Sequence, residues 1–288
     1  MRIVSLLPGA TEIACALGLA DDLVGISHEC DFPPEISGKP RLTRSLVETS
    51  SLSSGQISSE IAARRRSGEA VYDLDASRLR ALRPDLVLTQ SVCGVCAVPA
   101  ETARAAVADL RPCPEVLSLE GSTLEEVLDD VEAVGEATGR DREARRLVED
   151  LRTRVQHAAP PRPPGSARAR VVCLEWLDPP MAAGHWIPDL VERAGGVDLL
   201  GRSGEPSFVV PWEHVAAADP EHLVLIPCGF EASRTTSEMD TLRARPGWDE
   251  LRAVRAGRVH VLDANAAFSR PGPRLVEGVE ALAARLRS

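Results

Sequence analysis

The sequence has little of several features that define whole classes of protein. None of its 288 residues belongs to a run of about 20 consecutive apolar positions, the length that spans a bilayer. Acidic residues outnumber basic ones by 43 to 33, and the net charge of −10 disfavours nucleic acid and anionic membranes as partners. Aromatic residues make up only 3% of the chain, so the positions of its four tryptophans and four phenylalanines are informative.

Sequence signatures of common enzymes are absent as well. The chain contains no GxGxxG, P-loop, GxSxG or HExxH motif. Its only lysine is Lys39, which leaves Schiff-base chemistry almost no side chain to use. Glu12, Glu29 and Glu175 have acid–base chemistry, but no spacing in the sequence pairs them. The sequence therefore favours a binding protein over an enzyme.

The first residues and the cysteines indicate a compartment. Residues 1–8 lack the apolar segment and the cleavage site of a signal peptide. Seven cysteines are an odd number, and their spacing is not that of a small secreted domain. We therefore expect a cytoplasmic protein with free thiols. Export is the alternative if the true start lies upstream.

Short β-forming segments alternate with helical ones in the first half. Strands are predicted at 2–7, 23–27, 70–74, 85–90 and 115–119, and helices at 11–18, 100–110 and 122–139. The last of these helices has a capping residue at its start and ends at Gly139. Strands that alternate with helices predict an α/β fold, with a mostly parallel sheet covered on both faces.

The pattern restarts after a helix at 141–157 and a proline-rich segment at 158–166. Three segments of the second half resemble segments of the first in the same order: 170–174 resembles 2–6, 194–201 resembles 17–25, and 220–228 resembles 84–90. We therefore predict an N-terminal α/β lobe at 1–140, a bridging helix at 141–158, and a proline-rich linker with a C-terminal α/β lobe at 159–288.

Reactive residues gather where the predicted strands end, which is where open parallel sheets bind ligands. Four of them are cysteines: Cys30, Cys93, Cys96 and Cys228. The CxxC spacing of Cys93 and Cys96 lets both sulfurs face one ion, so a zinc or iron–sulfur site is one hypothesis. Ordinary burial of small apolar side chains is the other.

The aromatic residues of the second half also lie near predicted strand ends or helix starts. Their faces suit a large planar ligand, whereas packing in the core is the alternative for each of them. The loop at 268–274 is rigid and basic, and its Arg270 is a candidate contact for an anionic group.

These features resemble a known family. Residues 3–12, 16–18, 23–26, 84–87, 194–196 and 257–259 are similar to segments of the substrate-binding proteins of vitamin B12 and iron-siderophore ABC transporters. The strand-end loops look most like those of its cobalamin-binding branch. The resemblance implies two Rossmann-like lobes with parallel sheets joined by a single long bridging helix, the class III architecture of periplasmic binding proteins, with the ligand held between the lobes.

The resemblance also implies a function. We expect non-catalytic binding of cobalamin or a related corrinoid, as an intracellular carrier or with an ABC permease as partner, and no nucleic acid or membrane insertion. Glu60 and Glu213 are candidate permease contacts. The expected ligand-binding residues are Pro8, Gly9, His28, Glu29, Trp176, Trp186, Trp212, Phe230 and Arg270. A cysteine-ligated metal or iron–sulfur protein and a siderophore or haem binder stay open as alternatives.

Overall fold

Strands and helices alternate in the computed structural model, which describes residues 1–91, 98–159 and 167–287. The first half has strands β1 Ile3–Ser5, β2 Leu23–Ile26, β3 Thr43–Ser45, β4 Tyr72–Leu74, β5 Leu86–Gln90 and β6 Glu115–Leu119. Its helices are α1 Pro8–Ala16, α2 Ser54–Ser67, α3 Ala76–Ala81, α4 Ala100–Val107 and α5 Leu124–Thr138, and α6 Asp141–Ala158 follows.

The second half begins after α6. Its strands are β7 Ala169–Leu177, β8 Pro180–Ala182, β9 Gly196–Asp198, β10 Phe208–Val209, β11 His222–Leu225 and β12 Val259–Val261. Its helices are α7 Ile187–Arg193, α8 Trp212–Ala218, α9 Ala232–Ser237, α10 Asp240–Arg243, α11 Arg252–Arg255, α12 Ala264–Ala267 and α13 Leu275–Leu286.

Two sheets organise the two halves. In the first, the strands lie in the order β2–β1–β5–β6 and are all parallel. In the second, the order is β10–β8–β7–β11–β12, and β9 also pairs with β7. Strands β9, β7, β11 and β12 are parallel, whereas β8 and β10 run antiparallel at one edge. The predicted α/β fold class with parallel sheets is therefore confirmed.

Local sequence explains the best-defined elements. All five residues of β5 are buried, as expected of a central parallel strand with helices on both faces. Helix α5 begins with a capping box, in which Thr123 accepts from the Glu126 amide, and ends at Gly139 with a φ of +66°. The predicted strand at 70–74 is shorter, and as β4 it pairs with β3 outside the main sheet.

Helix α6 lies between the two sheets. Its buried face repeats every three to four residues, at Ala144, Val148, Leu151 and Val155. The helix packs against α5 of the first half and against α7 and α13 of the second half. It belongs to one buried cluster with residues of both sheets, among them Ile3 and Val224. The division into lobes at 140 and 158 stays a prediction, and most of the proline-rich linker lies outside the described residues.

Candidate functional site

The residues before and after α6 contact one another where the strands of both sheets end. Three groups of side chains make up this interface. We call them the Arg270 cluster, the Trp176 cluster and the His185 pocket, and each is defined below. The interface is the candidate functional site because ligands of parallel sheets bind at these strand ends.

The Arg270 cluster consists of Arg270, Arg274, Glu12, Asp31 and Asn265. Nη1 of Arg270 donates to Oε1 of Glu12 at 3.2 Å, and its Nη2 donates to Oδ2 of Asp31 at 2.9 Å and to Oδ1 of Asn265 at 2.8 Å. Nη1 of Arg274 lies 3.7 Å from Oε1 of Glu12. The Arg270 side chain is only 5% exposed, so its charge is balanced by carboxylates rather than by water.

Burial sets the ionisation of this cluster. It raises the pKa of Glu12 to about 7, although the charges of Arg270 and Arg274 act in the opposite direction. Burial also opposes ionisation of Asp31, but the hydrogen bonds and charge of Arg270 outweigh it and lower the Asp31 pKa. Glu12 is therefore the carboxyl group of the cluster that changes its charge near neutral pH.

Pro8 and Gly9 lie beside this cluster, at the first turn of α1. A Cβ atom on Gly9 would be only 2.1 Å from the carbonyl oxygen of Pro271. Gly9 is thus required by the close approach of two backbones. The structure places Pro271, from the other half, directly against this predicted ligand position.

His28 and Glu29 follow β2 and pair with each other. Nδ1 of His28 is 2.7 Å from Oγ1 of Thr43, and Nε2 is 3.1 Å from Oε1 of Glu29. The hydrogen bond with His28 is the main cause of the lowered pKa of Glu29. The His28 ring also contacts that of Tyr72, with centroids 5.4 Å apart. Both ring nitrogens of His28 therefore already have neighbours within the first half.

The Trp176 cluster contains Trp176, Phe230, Arg234 and Ser54. The rings of Trp176 and Phe230 lie 5.1 Å apart at an interplanar angle of 57°, and the Arg234 guanidinium sits 4.8 Å from the Phe230 centroid. Nε1 of Trp176 donates to the Ser54 carbonyl at 3.1 Å. Trp176 and Phe230 are thus the two predicted aromatic residues that the fold brings together at the interface.

Arg234 and Glu238 hold the start of α2 from the opposite half. Arg234 donates through Nη1 to the Ser50 carbonyl at 3.1 Å and through Nη2 to that of Leu52. Oε2 of Glu238 accepts from the Ser54 amide at 2.8 Å, a favourable site for an anion at a helix N-terminus. We call residues 50–54, which these bonds fasten across the interface, the strap.

The other two predicted tryptophans pack in cores. Trp186 is 8% exposed and donates to the Phe268 carbonyl at 2.8 Å. Trp212 stacks on Trp248, with centroids 6.1 Å apart, and donates to the Pro246 carbonyl at 2.8 Å. These contacts agree with the packing alternative for both residues.

Of the four candidate cysteines, the structure describes Cys30 and Cys228. Cys30 is fully buried with Sγ 3.0 Å from Oγ1 of Thr11, and burial raises its pKa to about 11. Cys228 is exposed, while Cys93 and Cys96 lie outside the described residues. Within residues 1–91, 98–159 and 167–287, no group of three or more metal-binding side chains could hold an ion. In the same residues, no helix has the length and hydropathy of a membrane span.

The His185 pocket is a cavity of about 210 Å³ that the sequence did not predict. It opens beside the ends of β5 and β6 in one half and the loop after β8 in the other. Its lining residues are Ser91, Glu120, Ser122, His185, Gly204 and Pro206. Ser91 and Glu120 each follow a buried strand directly, so the strand-end rule that selected His28 would also have selected them.

Most of the chain matches known proteins. The family model for periplasmic binding proteins matches residues 3–266. The vitamin B12-binding protein of Vibrio cholerae is 27% identical, over 99% of this chain and 89% of that protein.

Solved structures share the fold. A possible iron-binding protein of Staphylococcus epidermidis superposes with a TM-score of 0.72 at 22% identity, over 100% of this chain and 98% of that chain. A periplasmic heme-binding protein in complex with two hemes superposes with a TM-score of 0.71 at 24% identity, over 99% of this chain and 97% of that chain.

Proposed function

The chain belongs to the periplasmic binding protein family, and from this premise we propose that it binds cobalamin or a related corrinoid between its two sheets without transforming it. The observation that carries the proposal is the Trp176–Phe230 pair of the second half, whose tryptophan donates to the Ser54 carbonyl of the first half. The vitamin B12-binding relative, aligned over nearly the whole chain, supports the choice of ligand.

The chemistry of the pair suits such a ligand. Tilted aromatic rings offer both faces and edges to a flat, largely apolar macrocycle. Trp176 is half-buried, so part of its ring is open to a neighbour, whereas Phe230 is 8% exposed and provides a fixed wall. The strap, which the second half holds across the interface, would then lie beside a ligand bound at these rings.

An ABC permease is the partner that we propose. Glu60 on α2 and Glu213 on α8 carry carboxylates on opposite halves of the chain. Glu60 is bonded to Arg64 at 3.0 Å but keeps 45% of its side chain exposed. The cytoplasmic location stays a prediction: free cysteines suit a reducing compartment, whereas work with a permease requires export.

Titration with cobalamin tests the proposal. Purified protein should perturb the corrin absorption bands saturably and release or absorb heat in calorimetry. Trp176→Ala should weaken binding at least about tenfold, the usual cost of removing a central aromatic contact. Trp212→Phe alters the tryptophan that packs on Trp248 and should leave affinity unchanged. Unchanged spectra together with no heat would show that the protein does not bind cobalamin.

Haem and iron-siderophores are the second class of ligand to titrate. The heme-binding structure shares the fold, and the same aromatic pair would accept a porphyrin face. Binding of an anionic ligand group by Arg270 is disfavoured, however, because its guanidinium is already bonded to Glu12, Asp31 and Asn265. The zinc or iron–sulfur hypothesis stays a prediction, since Cys93 and Cys96, whose spacing suggested it, lie outside the described residues.

A further inference from the structure

The His185 pocket has two rigid walls, one from each half of the chain. On the first wall, Glu120 follows β6, and the turn after it is fixed by Asp130. Oδ1 of Asp130 accepts from the Glu120 amide at 3.3 Å, and Oδ2 accepts from the Gly121 amide at 2.9 Å. Ser122 donates its amide to Glu126 at 2.8 Å. These bonds hold the backbone, while no described residue bonds to the Glu120 carboxylate itself.

The second wall is the loop that carries His185. The His185 amide donates to the Glu205 carbonyl at 2.6 Å, and its carbonyl accepts from the Gly204 amide at 3.0 Å. Its φ is +46°, a conformation in which non-glycine residues are strained and which is often found at functional sites. A Cβ atom on the preceding Gly184 would lie 2.3 Å from the Ser207 amide nitrogen, so the loop packs backbone against backbone there and a larger residue would not fit.

None of the described polar groups that line the pocket carries a positive charge. Burial lowers the pKa of His185, so its imidazole is neutral at pH 7, and its Nε2 has no hydrogen-bond partner. Glu120, Ser91 and Ser122 are also lining residues. The Ser122 hydroxyl donates to the Glu120 carbonyl at 3.4 Å, and Oγ of Ser91 lies 3.2 Å from that of Ser118, so both hydroxyl oxygens can still accept. None of the six lining residues, all of them described, is a lysine or arginine. The pocket can accept several hydrogen bonds but cannot neutralise an anion.

Its size restricts what it can hold. A volume of about 210 Å³ lies below the ~300–1,000 Å³ of pockets that enclose a whole drug-sized ligand. A macrocycle therefore cannot enter the pocket, whereas a single substituent of a macrocycle can. The two sites are linked through Gly184, next to His185, whose amide donates to Oε1 of Glu175, next to Trp176, at 2.9 Å.

We infer that the His185 pocket holds a neutral, hydrogen-bond-donating arm of the ligand, of the primary carboxamide type, and rejects a carboxylate in the same place. This inference rests on the proposed function and names Glu120 and His185 as its specificity determinants. Corrinoids carry carboxamide side chains, whereas the polar side chains of haem are propionates, which end in carboxylates. A ligand carboxylate would lie beside Glu120 without a counter-ion, and binding would bury both charges together.

The experiment compares cobalamin with its monocarboxylate derivatives, in each of which one peripheral carboxamide is hydrolysed. Affinities are measured by calorimetry at fixed ionic strength. At least one derivative should bind the wild-type protein about tenfold more weakly than cobalamin, because of the like-charge contact. Glu120→Gln should reduce the ratio of the derivative's dissociation constant to that of cobalamin. Glu120→Lys should make the derivative bind more tightly than cobalamin. His185→Gly, which accommodates the positive φ, should weaken cobalamin binding itself.

Glu115→Lys is the matched control, because Glu115 is exposed at the opposite end of the same strand and should leave the ratio unchanged. Circular dichroism melts of all variants confirm that they fold. Equal affinity of the wild-type protein for cobalamin and every derivative, or an unchanged ratio in Glu120→Lys, would overturn the inference and leave the proposed function intact. Absence of any corrinoid binding would overturn both.

Discussion

Arg270 and Glu12 are 258 residues apart in the chain, yet Nη1 of the arginine lies 3.2 Å from Oε1 of the glutamate. The two side chains are only 5% and 2% exposed. The pair joins the last loop before α13 to the first helix of the chain, so it fastens the two halves together. Because water hardly reaches the pair, ionisation of Glu12 is costly there even beside the arginine.

The first prediction concerns pH and Glu12. Burial raises its pKa from 4.5 to about 7, so the folded protein binds the proton more tightly than the unfolded chain. The resulting stabilisation is fully present below pH 4.5 and is lost as the pH rises through 7. In urea titrations from pH 5 to 8, the free energy of unfolding of the wild-type protein should fall by up to about 3 kcal/mol relative to Glu12→Gln. The same pH dependence in both proteins would contradict this prediction.

Gly9→Ala should destabilise the contact between the halves. The added Cβ would lie 2.1 Å from the Pro271 carbonyl oxygen, and neither backbone can move away cheaply. We expect a loss of about 1–3 kcal/mol in the free energy of unfolding, measured with urea. Gly38→Ala is the matched control, since a Cβ atom there would meet nothing within 4 Å. Equal stability of the two variants would mean that the interface is looser than described.

Arg234→Ala should release the strap. The substitution removes the side chain that holds the Ser50 and Leu52 carbonyls from the other half. Hydrogen exchange of the amides in 50–54, followed by mass spectrometry, should accelerate roughly tenfold, because local opening becomes easier. Arg243→Ala is the control, since Arg243 is an exposed residue paired with Asp240 on the same helix. Unchanged exchange in Arg234→Ala would show that other contacts hold the strap.

His222 and His260 should stabilise the fold at high pH, whereas Glu12 stabilises it at low pH. Nδ1 of His222 is 3.0 Å from Nε2 of His260, and burial lowers both pKa values, that of His260 to about 4. Besides each other, the charged neighbours that act on the pair are Glu221, Arg258 and Arg285. The resulting stabilisation is present above pH 6.5 and is lost as the pH falls through about 4.

The test is the free energy of unfolding at pH 7, 5.5 and 4.5. Between pH 7 and 4.5, the free energy of unfolding of His260→Gln should fall by on the order of 1–2 kcal/mol less than that of the wild-type protein. This amount allows for solvent screening of the half-buried pair. The exposed His214→Gln should behave like the wild-type protein. If the free energy of unfolding fell equally in His260→Gln and in the wild-type protein, the histidine pair would be excluded as the cause.

Local sequence patterns predicted much of the fold. The uninterrupted apolar run of β5 and the capping signals of α5 are complete within a few neighbouring residues, so a short window of sequence contains them. The resemblance to periplasmic binding proteins, based on short segments along the whole chain, is confirmed by the family match over residues 3–266. The strands β8, β9 and β10 were missed because two or three residues carry no periodicity.

The candidate site was harder to predict because it depends on distant contacts. Nothing near Arg270 in the sequence indicates that its charge is balanced by Glu12. Residue type also did not separate Trp176, at the interface, from Trp212, which packs on Trp248. Glu120 and His185 come together only when the two halves meet, and His185 follows β8, a strand of only three residues.

The buried cluster that includes Ile3, Val148, Val224 and Val279 has a thermodynamic consequence for the whole chain. Since α6 shares this cluster with both sheets, neither half can melt without exposing apolar surface of the other. Heat denaturation should therefore be a single cooperative transition, in which the calorimetric and van't Hoff enthalpies agree. A fragment that ends after α5 would lose the cover that α6 provides and should be insoluble or molten when it is expressed alone.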